Sequence, residues 1–524
     1  ADAQVNLLLT HQATPADAVT PWFAGAVVDL LADAEPIRRQ PTTNPEATIG
    51  PPQLAYVIYT SGSLGQPKGV LVEHQALVNY TEAARAAYGI TARDRVLQFA
   101  SINFDASAEE IYTALTSGAT LVLRSEAMIE TIATFLNRCD AWRISVLSLP
   151  TAYWHELVAR LDADQCALPA WLRMMIIGGE RALPERVAQW QQHAGAQVQL
   201  LNSYGPTEAT VVATVFPVPP QPSESVPREV PIGRPLRNVT AYVLDRQLTP
   251  VAVGVPGELY LGGASLARGY LNRPELTAER FIADPFSDRP GARLYRTGDL
   301  VRFLPAGTLA FLGRVDQQVK VRGFRIETGE IEQALRHSPA VSDAVVMARE
   351  DTRGDTQLVA YIIPQPGNVP TTRGLRTFLL TMLPNYMLPA AFVTLERLPL
   401  TPSGKVNLRA LPVPERVRPE LESSLVGPRT ATEQQVAALW LGVLKLEQVG
   451  IYDNFFELGG HSLLATQLLA RLRTTFQVDL PLRHLFASPT VASMAEMIDT
   501  YQWMAQGAAV PSADPDESIE EGEL

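Results

Sequence analysis

Up to about residue 215, short apolar runs alternate along the chain with segments of helical spacing, such as Leu77 to Tyr88. The runs are rich in aliphatic and β-branched residues, as buried strands are, and this alternation is typical of parallel α/β sheets. Strands are predicted at 54–59, 70–72, 119–123, 144–147, 174–177 and 198–201. Ligands bind at the carboxyl ends of strands in such sheets, so the loops after these runs are the first places to look for a site.

The pattern of apolar runs and turns changes twice further along the chain. From about 216 to 312, short strands are spaced by Pro/Gly turns, which predicts a small β-barrel or meander, and 313–412 resembles a separate α+β unit. Thr430 to Glu433 form a capping-box pattern and Ser488-Pro489 indicates another helix start, so the last unit is predicted to be a helical bundle. The expected divisions are 1–313, 314–411, a linker at 412–428, the bundle at 429–501 and an acidic tail at 502–524, which we expect to be disordered.

Composition narrows the class of protein. The 524 residues are too many for one core, 46% are apolar, 19% are charged, and the net charge of -12 offers no basic surface for nucleic acid. No apolar run approaches the ~20 residues that span a bilayer. Two cysteines, Cys139 and Cys166, give neither a disulfide framework nor metal spacing. We therefore expect a cytoplasmic protein of several units without a membrane span.

The stretch from Thr60 to Gly69 carries the first candidate chemistry. It follows the apolar run 54–59, its hydroxyls alternate with glycines, and Lys68 adds a positive charge near its end. This is the composition of a phosphate-binding loop, although proline before the lysine and glycine after it exclude the P-loop pattern. A Gly/Ser-rich turn without a ligand is the alternative. The stretch from Asn202 to Glu208 also follows an apolar strand, so both could face one cleft.

Nine motifs in order resemble the adenylation domain of a nonribosomal peptide synthetase followed by a peptidyl carrier protein. Such domains belong to the adenylate-forming superfamily, which includes acyl-CoA ligases and luciferases. The resemblance implies α/β sheets, a small β-barrel and a mobile α+β C-terminal subdomain, followed by a helical-bundle carrier domain. It rests on 54–69, Phe104 to Ser107, 202–208, 257–281, Tyr295 to Leu300, 313–332, 383–389, Pro402 to Lys405 and 453–465.

The resemblance also implies an AMP-forming reaction that uses ATP and Mg2+. The carboxylate of an acid attacks the α-phosphorus and pyrophosphate leaves. In the family, the residues that match Glu208 and Asp299 hold magnesium and the ribose hydroxyls, while those that match Thr207 and Tyr204 contact phosphate and stack on adenine. The structural alternatives are a simple turn at Tyr204-Gly205-Pro206 and a turn cap at Asp299. The implied ATP site is completed by Thr60, Ser61, Gly62, Ser63, Gly65, Lys68 and Arg314.

Two further residues take central roles by the same resemblance. Lys405 matches the catalytic lysine that bridges the substrate carboxylate and the phosphate oxygens, on a small domain that rotates about a hinge matching Asp316 after the adenylate forms. Ser462 matches the phosphopantetheine attachment site, although from the residues alone it is also a helix N-cap. The expected partners are an amino acid, a phosphopantetheinyl transferase and neighbouring condensation or thioesterase domains.

The substrate pocket of the family points to an amino acid. Asp105 is expected to pair with the α-ammonium, and Glu109 shares a face with it if both belong to one helical turn. A second buried acid calls for a second positive charge, so our hypothesis is lysine or ornithine. The alternative is that Ser107 caps the helix, Glu110 closes a capping box and Glu109 is solvated. The pocket positions are Asp105, Ala106, Glu109, Ala152, Ile176, Gly178, Ser203, Val211, Val212 and Lys405.

The chain departs from the family pattern at a few points. Leu64, Thr328 and Asn407-Leu408 stand where the family usually has threonine, leucine and Asp-Arg, and the first puts a full adenylation rate in doubt. The family carries about a hundred more residues before a position like Leu7, so we expect part of the first sheet to be missing and apolar strand edges to be exposed. Two other functions stay open, a freestanding acyl or aryl acid ligase and a non-catalytic carrier scaffold.

Overall fold

The computed structural model describes most of the chain. No helix within the described ranges is long and apolar enough to cross a bilayer, and neither Cys139 nor Cys166 is in a disulfide. Residues 502–507 of the predicted tail, 502–524, belong to a helix. The rest of that tail, from residue 508 onwards, lies outside the described residues, so its disorder stays a prediction. The described residues are 2–11, 23, 25–43, 48–61, 67–129, 131–163, 166–220, 229–316, 318–321, 324–350, 356–368, 370–399, 406–414, 425–444, 446–456, 458, 460, 462–476, 478, 480, 484–485 and 488–507.

The N-terminal residues form small sheets. The elements are β1 (Leu7–Thr10), β2 (Ala26–Asp29), α1 (Ala34–Arg38), β3 (Leu54–Thr60) and β4 (Lys68–Glu73). β1 and β2 pair in parallel, and Leu7 and Leu9 are 50% and 60% exposed. β3 and β4 pair antiparallel, so parallel pairing was the wrong prediction for the runs at 54–59 and 70–72. The reason is that their connection is too short for the crossover that parallel strands need.

A seven-stranded sheet follows, in which the predicted α/β fold is confirmed. Its elements are α2 (His74–Tyr88), β5 (Arg95–Gln98), α3 (Ala106–Thr116), β6 (Thr120–Leu123), α4 (Ile132–Ala141), β7 (Val146–Pro150), α5 (Thr151–Ala163), β8 (Met174–Gly178), α6 (Pro184–Ala194), β9 (Gln199–Tyr204), β10 (Thr214–Val218) and β11 (Arg234–Pro235). The strand order is β11-β10-β9-β8-β7-β5-β6, with β5 to β9 parallel and an antiparallel edge at β10 and β11.

Both faces of this sheet are buried. Ile176 on β8 packs into a cluster with residues of α2 and α3, whereas its neighbour Ile177 packs into another cluster with residues of α4, α5 and α6. Alternate side chains of a strand point to opposite faces, so each strand contributes apolar side chains to two cores. Its sequence is therefore a nearly continuous apolar run. The α2 and α3 face is the one that carries the predicted pocket.

An antiparallel sheet occupies the stretch predicted as a small β-barrel or meander. Its elements are β12 (Val239–Leu244), β13 (Gly257–Gly263), β14 (Gly269–Tyr270), α7 (Pro274–Arg280), β15 (Phe281–Ala283), β16 (Arg293–Phe303) and β17 (Leu309–Arg314). The order is β12-β13-β16-β15, and β17 also pairs with β16. β14 leaves this sheet and pairs with β4, with Tyr270 opposite Val70. That pairing places Tyr270 beside the strand that begins with Lys68.

The next unit is a smaller α+β arrangement. Its elements are β18 (Gln318–Val321), β19 (Phe324–Glu327), α8 (Thr328–Arg336), β20 (Val341–Glu350), β21 (Thr356–Pro364), α9 (Thr372–Leu380) and β22 (Ala391–Thr394). β18 and β19 form a hairpin, and β20, β21 and β22 form a second sheet. Buried Ile331, Ile362 and Leu379 join the helices to that sheet.

The last unit is helical, as predicted. The helices with described bounds are α10 (Ala431–Leu444), α11 (Ser462–Phe476) and α12 (Val491–Gly507), packed around buried Trp440 and Phe455. The predicted capping box is confirmed, because the Glu433 amide donates to Thr430 Oγ1 at 3.1 Å and the Thr430 amide donates to Glu433 Oε2 at 3.2 Å.

The start of α12 differs from its prediction. The helix begins at Val491 rather than at Ser488-Pro489. Thr490 takes the capping position, because its Oγ1 accepts from the Ser493 amide at 3.2 Å while Ser493 Oγ accepts from the Thr490 amide at 3.3 Å. This reciprocal pair satisfies the first amides, and Ser488 only provides a carbonyl that accepts from Ser493 Oγ at 2.9 Å.

Candidate active site

Lys68 and Glu208 meet in a buried cluster with Tyr270. Glu208 lies in the short 3-10 turn Thr207–Ala209 after β9, and its Oε1 is 3.1 Å from Lys68 Nζ. The Tyr270 hydroxyl donates to the same Oε1 at 2.7 Å and accepts from Lys68 Nζ at 3.2 Å. The predicted phosphate lysine and the predicted magnesium ligand are therefore neighbours, whereas a cleft shared by the loops after β3 and β9 stays a prediction.

The residues around this cluster suit a magnesium-bound nucleotide. Within the described part of the chain no group of three or more His, Cys, Asp or Glu could hold a metal, and Glu208 is the acid that faces Lys68. Mg2+ fits such a place, since proteins commonly bind it through one or two carboxylates plus substrate phosphates. Thr60 Oγ1 is buried with no hydrogen-bond partner among the described residues, as a donor to an absent phosphate would be.

Some predicted residues of this site cannot be placed. Ser61 follows β3 directly. Gly62, Ser63 and Gly65 of the loop, together with Lys405, lie outside the described residues, so their assigned roles stay predictions.

Asp299 is the centre of a second polar cluster. It is buried on β16 and accepts hydrogen bonds from the Tyr204 hydroxyl and from Nη1 of Arg314. Arg314 also donates to Asp316, from Nε at 2.6 Å and from Nη2 at 2.7 Å. One guanidinium thus joins the predicted ribose-binding acid, Asp299, to the predicted hinge, Asp316. The turn-cap alternative does not account for these side-chain bonds of Asp299.

Residues of the small α+β unit also face this cluster. The Lys320 ammonium lies 5.4 Å from the centroid of the Tyr204 ring. Phe324 stacks on Tyr386 with centroids 4.1 Å apart and meets Phe104 edge-on at 5.1 Å. Phe104 immediately precedes Asp105, so the hairpin of β18 and β19 approaches the mouth of the pocket. The sequence reasoning missed Lys320 because a lysine on a charged strand normally indicates only a solvated surface.

A hydrogen bond from Thr207 joins Asp105 of the predicted amino acid pocket to the turn that carries Glu208. Asp105 is the N-cap residue of α3 and is half-buried. Burial, helped by the carboxylates of Glu208 and Glu109, raises the pKa of its carboxyl to about 6 against the opposing hydrogen bond from Thr207. Ala106, the next pocket position, is the first helical residue. An α-ammonium bound here would supply the cation that favours an ionised Asp105.

Glu109 lies on α3 and is only 3% exposed, so the alternative of a solvated helix acid is wrong. Its Oε1 accepts from Ser148 Oγ at 2.7 Å, and its Oε2 accepts from the hydroxyls of Tyr80 at 2.9 Å and Tyr88 at 3.0 Å. Burial raises the pKa of Glu109, and these three hydrogen bonds oppose the rise. The capping alternative fails as well, because Glu110 accepts from the Ala100 amide at 3.1 Å instead of closing a capping box.

Tyr80, Tyr88 and Ser148 were missed by the sequence reasoning. A signal did exist, since Tyr80 and Tyr88 lie eight positions apart and therefore on nearly the same face of α2. That face is apolar, and a buried tyrosine hydroxyl needs a partner. Which acid would provide the partner could not be read from the spacing.

The remaining pocket positions line the sheet and the turn that follows it. Ile176 pairs with Ser148 across β7 and β8, and a Cβ on Gly178 would come within 2.5 Å of Ser203 Oγ, so a side chain there would require Ser203 to move. Ala152 is the second residue of α5. Val211 has φ of 68°, unfavourable for a β-branched residue, and it lies beside buried Val212. Ile176, Gly178 and Ser203 therefore lie close together near the carboxyl ends of the neighbouring strands β8 and β9.

A polar contact joins the helical unit to the large unit. α11 begins at Ser462, which places the predicted attachment residue at a helix N-terminus. Five residues later, Gln467 Nε2 donates to Glu156 Oε1 of α5 at 3.0 Å. Glu156 also pairs with Arg160 Nε at 3.1 Å.

Comparison with family models covers most of the chain. An AMP-binding enzyme model matches residues 1–271, the C-terminal domain model of AMP-binding enzymes matches 330–405, and a phosphopantetheine attachment site model matches 434–498. The order of the three agrees with the order of the units described above.

Curated relatives are large peptide synthetases. The chain is 47% identical over 497 residues to one of the linear gramicidin synthase proteins of Brevibacillus parabrevis, covering 95% of the chain and 6% of that protein. It is 39% identical over 494 residues to tyrocidine synthase 1 of the same organism, covering 94% of the chain and 44% of that protein. The chain thus spans less than half the length of these relatives.

Solved structures agree with these relatives. An NRPS protein that contains adenylation and PCP domains, in its holo form with a vinylsulfonamide inhibitor, matches with 28% identity and a TM-score of 0.75 over 94% of this chain and 80% of that one. An artificially fused adenylation-PCP di-domain from Klebsiella oxytoca matches with 27% identity and a TM-score of 0.63, over 75% of this chain and 74% of that one.

Proposed function

We propose that this chain loads a cationic amino acid onto its own carrier. The chain belongs to the AMP-binding enzyme family and is an adenylation and carrier didomain of the nonribosomal peptide synthetase type. The didomain is an AMP-forming ligase that uses ATP and Mg2+. The proposed substrate is lysine or ornithine, and the proposed acceptor is phosphopantetheine on Ser462. The observation that carries the substrate class is the pair of acids, Asp105 and Glu109, at the start of one helix.

The first step would be adenylation. A carboxylate oxygen of the amino acid forms a bond to the α-phosphorus of ATP, the bond from that phosphorus to the bridging oxygen breaks, and pyrophosphate leaves. Lys68 and Thr60 would hold the phosphates, and Lys405 would bridge the carboxylate and the α-phosphate oxygens. Glu208 would hold Mg2+, which neutralises phosphate charge when bound.

The nucleotide end would be held by the Asp299 cluster. The carboxylate of Asp299 would accept the ribose hydroxyls, with Arg314 and Tyr204 fixing its two oxygens through the hydrogen bonds described above. The ring of Tyr204 would stack on adenine. Because Arg314 also binds Asp316, this cluster would link nucleotide binding to the proposed hinge.

Charge balance supports a substrate with two ammonium groups. Among the described residues, no Lys, Arg or His forms a salt bridge with Asp105 or with Glu109. Buried carboxylates are stabilised by opposite charge, and a diamino acid would bring one ammonium to each acid. Ala152 leaves space for a long side chain, since it carries only a methyl group, whereas the space beside Gly178 is taken by Ser203.

The second step would transfer the aminoacyl group to the carrier. When attached to Ser462, phosphopantetheine supplies the thiol that accepts the acyl group while AMP leaves. The chain's own contribution is orientation: Gln467 binds Glu156 five residues beyond the attachment position. The carrier domain also implies a phosphopantetheinyl transferase and neighbouring synthetase domains as partners.

Amino-acid-dependent exchange of pyrophosphate into ATP tests the proposed substrate. A panel should contain lysine, ornithine, and the neutral analogue norleucine, which has the carbon chain of lysine without its ammonium. We expect lysine or ornithine to be preferred over norleucine by at least about tenfold, since a buried ion pair contributes more than one methylene. Preference for norleucine or another apolar amino acid would contradict the cationic assignment.

A further inference from the structure

Glu109 is buried among side chains that were not predicted to belong to the pocket. Its three hydrogen-bond donors are themselves enclosed: Tyr80 and Tyr88 are fully buried on α2, and Ser148 lies in the middle of β7. The hydrogen bonds are 2.7 to 3.0 Å long and reach both carboxylate oxygens. An arrangement in which three hydroxyl protons converge on one acid is suited to an ionised carboxylate.

The titratable groups around Glu109 are acids and phenols. From its own helix it faces Asp105 and Glu110, both acids, and from α2 it faces the phenols of Tyr80 and Tyr88. β7 contributes Ser148, which does not titrate. Within the described ranges, no basic side chain forms a salt bridge with it. Without the three hydroxyls, this carboxyl would lie in an apolar core and favour its neutral form.

The donors also lie on the pocket side of the sheet. Ser148 pairs in register with Ile176, and Gly178, two residues further on, shares that face. A carboxylate can accept about four hydrogen bonds, so three donors leave room for one from a ligand. The same contacts that bury Glu109 therefore aim it at the predicted pocket residues.

We propose that Tyr80 and Tyr88 are specificity-determining positioning residues, which keep Glu109 ionised and fixed so that it can bind the side-chain ammonium of the substrate. The inference rests on the proposed function, because it assumes a cationic amino acid. It adds residues that touch Glu109 and not the substrate.

The variants Tyr80→Phe and Tyr88→Phe test this role, because each hydroxyl donates to Oε2 of Glu109. Each removes one hydrogen bond to the charged form, so the pKa of Glu109 should rise and the carboxyl should lose its charge at a higher pH. In pyrophosphate exchange from about pH 6 to about pH 9, we expect KM for lysine to rise about tenfold, the equivalent of one hydrogen bond to a charged group, with the increase greatest at the acidic end. KM for norleucine and kcat for lysine should stay nearly unchanged.

A matched control is available on the same helix. Thr113 Oγ1 donates to the backbone carbonyl of Glu109 at 2.5 Å and does not touch the carboxylate. Thr113→Val therefore removes a buried hydroxyl beside Glu109 without changing its charge, and its pH profile should match the wild type. Thermal unfolding of every variant identifies any that misfold, and Tyr80→Phe decides the test if Tyr88→Phe is one of them.

A double-mutant cycle separates this effect from the titration of Asp105 and Glu110. In a Glu109→Gln background the preference for lysine should be lost, and Tyr88→Phe should then have no further effect on KM. If the wild type prefers lysine but both hydroxyl variants keep its pH profile, the positioning role is wrong and the proposed function stands. If the wild type itself prefers a neutral amino acid, the proposed substrate class fails first, and this inference fails with it.

Discussion

The ammonium of Lys68 lies 3.1 Å from Oε1 of Glu208, and the two side chains are only 8% and 0% exposed. The residue expected to hold phosphate and the residue expected to hold magnesium thus neutralise each other, with the Tyr270 hydroxyl bonded to both. When ATP and Mg2+ bind, a phosphate could take the place of Glu208 beside Lys68, and Mg2+ could take the place of Lys68 beside Glu208. Each residue would then keep a partner of opposite charge. The pair therefore has a structural role as well as its proposed role in binding.

Removing one member of this pair should destabilise the protein strongly. Lys68→Met leaves the Glu208 carboxylate buried without its cation, which typically costs about 3 kcal/mol or more. The double variant Lys68→Met with Glu208→Gln should be less destabilised than the sum of the single variants. Urea unfolding measures all three, and additive losses would show that the two side chains are not coupled.

The pH dependence of amino acid activation should report Asp105. Its pKa is raised to about 6, so below this pH the carboxyl is neutral and no longer attracts the α-ammonium. The kcat/KM for the amino acid should fall as the pH drops through about 6 and level off above it. Asp105→Asn should lower kcat/KM by about a hundredfold and abolish this step. A step that persists in the asparagine variant belongs to another group.

The bond from Tyr204 to Asp299 should matter for ATP. Tyr204→Phe keeps the ring but removes the hydroxyl that orients Asp299 beside Arg314. We expect KM for ATP to rise about tenfold, as for the loss of one charge-assisted hydrogen bond, with KM for the amino acid unchanged. Tyr361→Phe, a hydroxyl lost in the small unit where it bonds Pro412, is the control. Equal effects of both variants on KM for ATP would argue against the ribose site.

Contact between the carrier and the large unit should affect transfer alone. Gln467→Ala removes the 3.0 Å bond to Glu156, so aminoacyl transfer should slow about fivefold while pyrophosphate exchange is unaffected. Thr432→Ala, which loses a 2.6 Å bond to Asp499 within the helical unit, serves as the comparison. Transfer at the wild-type rate in Gln467→Ala would mean that the contact does not support the transfer geometry.

Local pattern predicted much of the fold. The run at 174–177 became β8, the segment ending at Tyr88 became α2, and Thr430 and Glu433 cap α10, because each depends on periodicity or on residues a few positions apart. The predictions of strand pairing and of a helix start were wrong where the local sequence is compatible with two structures. β3 and β4 are apolar like parallel strands but are joined by too short a connection, and Thr490 with Ser493 displaces Ser488 as the cap of α12.

The candidate site was predictable only as far as motifs reach. Asp105, Glu208 and Asp299 stand in recognisable stretches, whereas the partners that set their charge come from distant positions. Tyr80 and Ser148 are 29 and 39 residues from Glu109, and Tyr270 is 62 residues from Glu208. Such pairs are made by packing of α2, β7 and β14, and no spacing in the sequence encodes them.

Mass analysis of Ser462 tests the central claim most directly. The phosphopantetheinylated protein is incubated with ATP, Mg2+ and either lysine, ornithine or norleucine, and the peptide that contains Ser462 is weighed. The account predicts phosphopantetheine plus a lysyl or ornithyl group, dependent on ATP, and little norleucyl product. Phosphopantetheine alone with every amino acid would contradict it and favour a carrier scaffold that does not load itself.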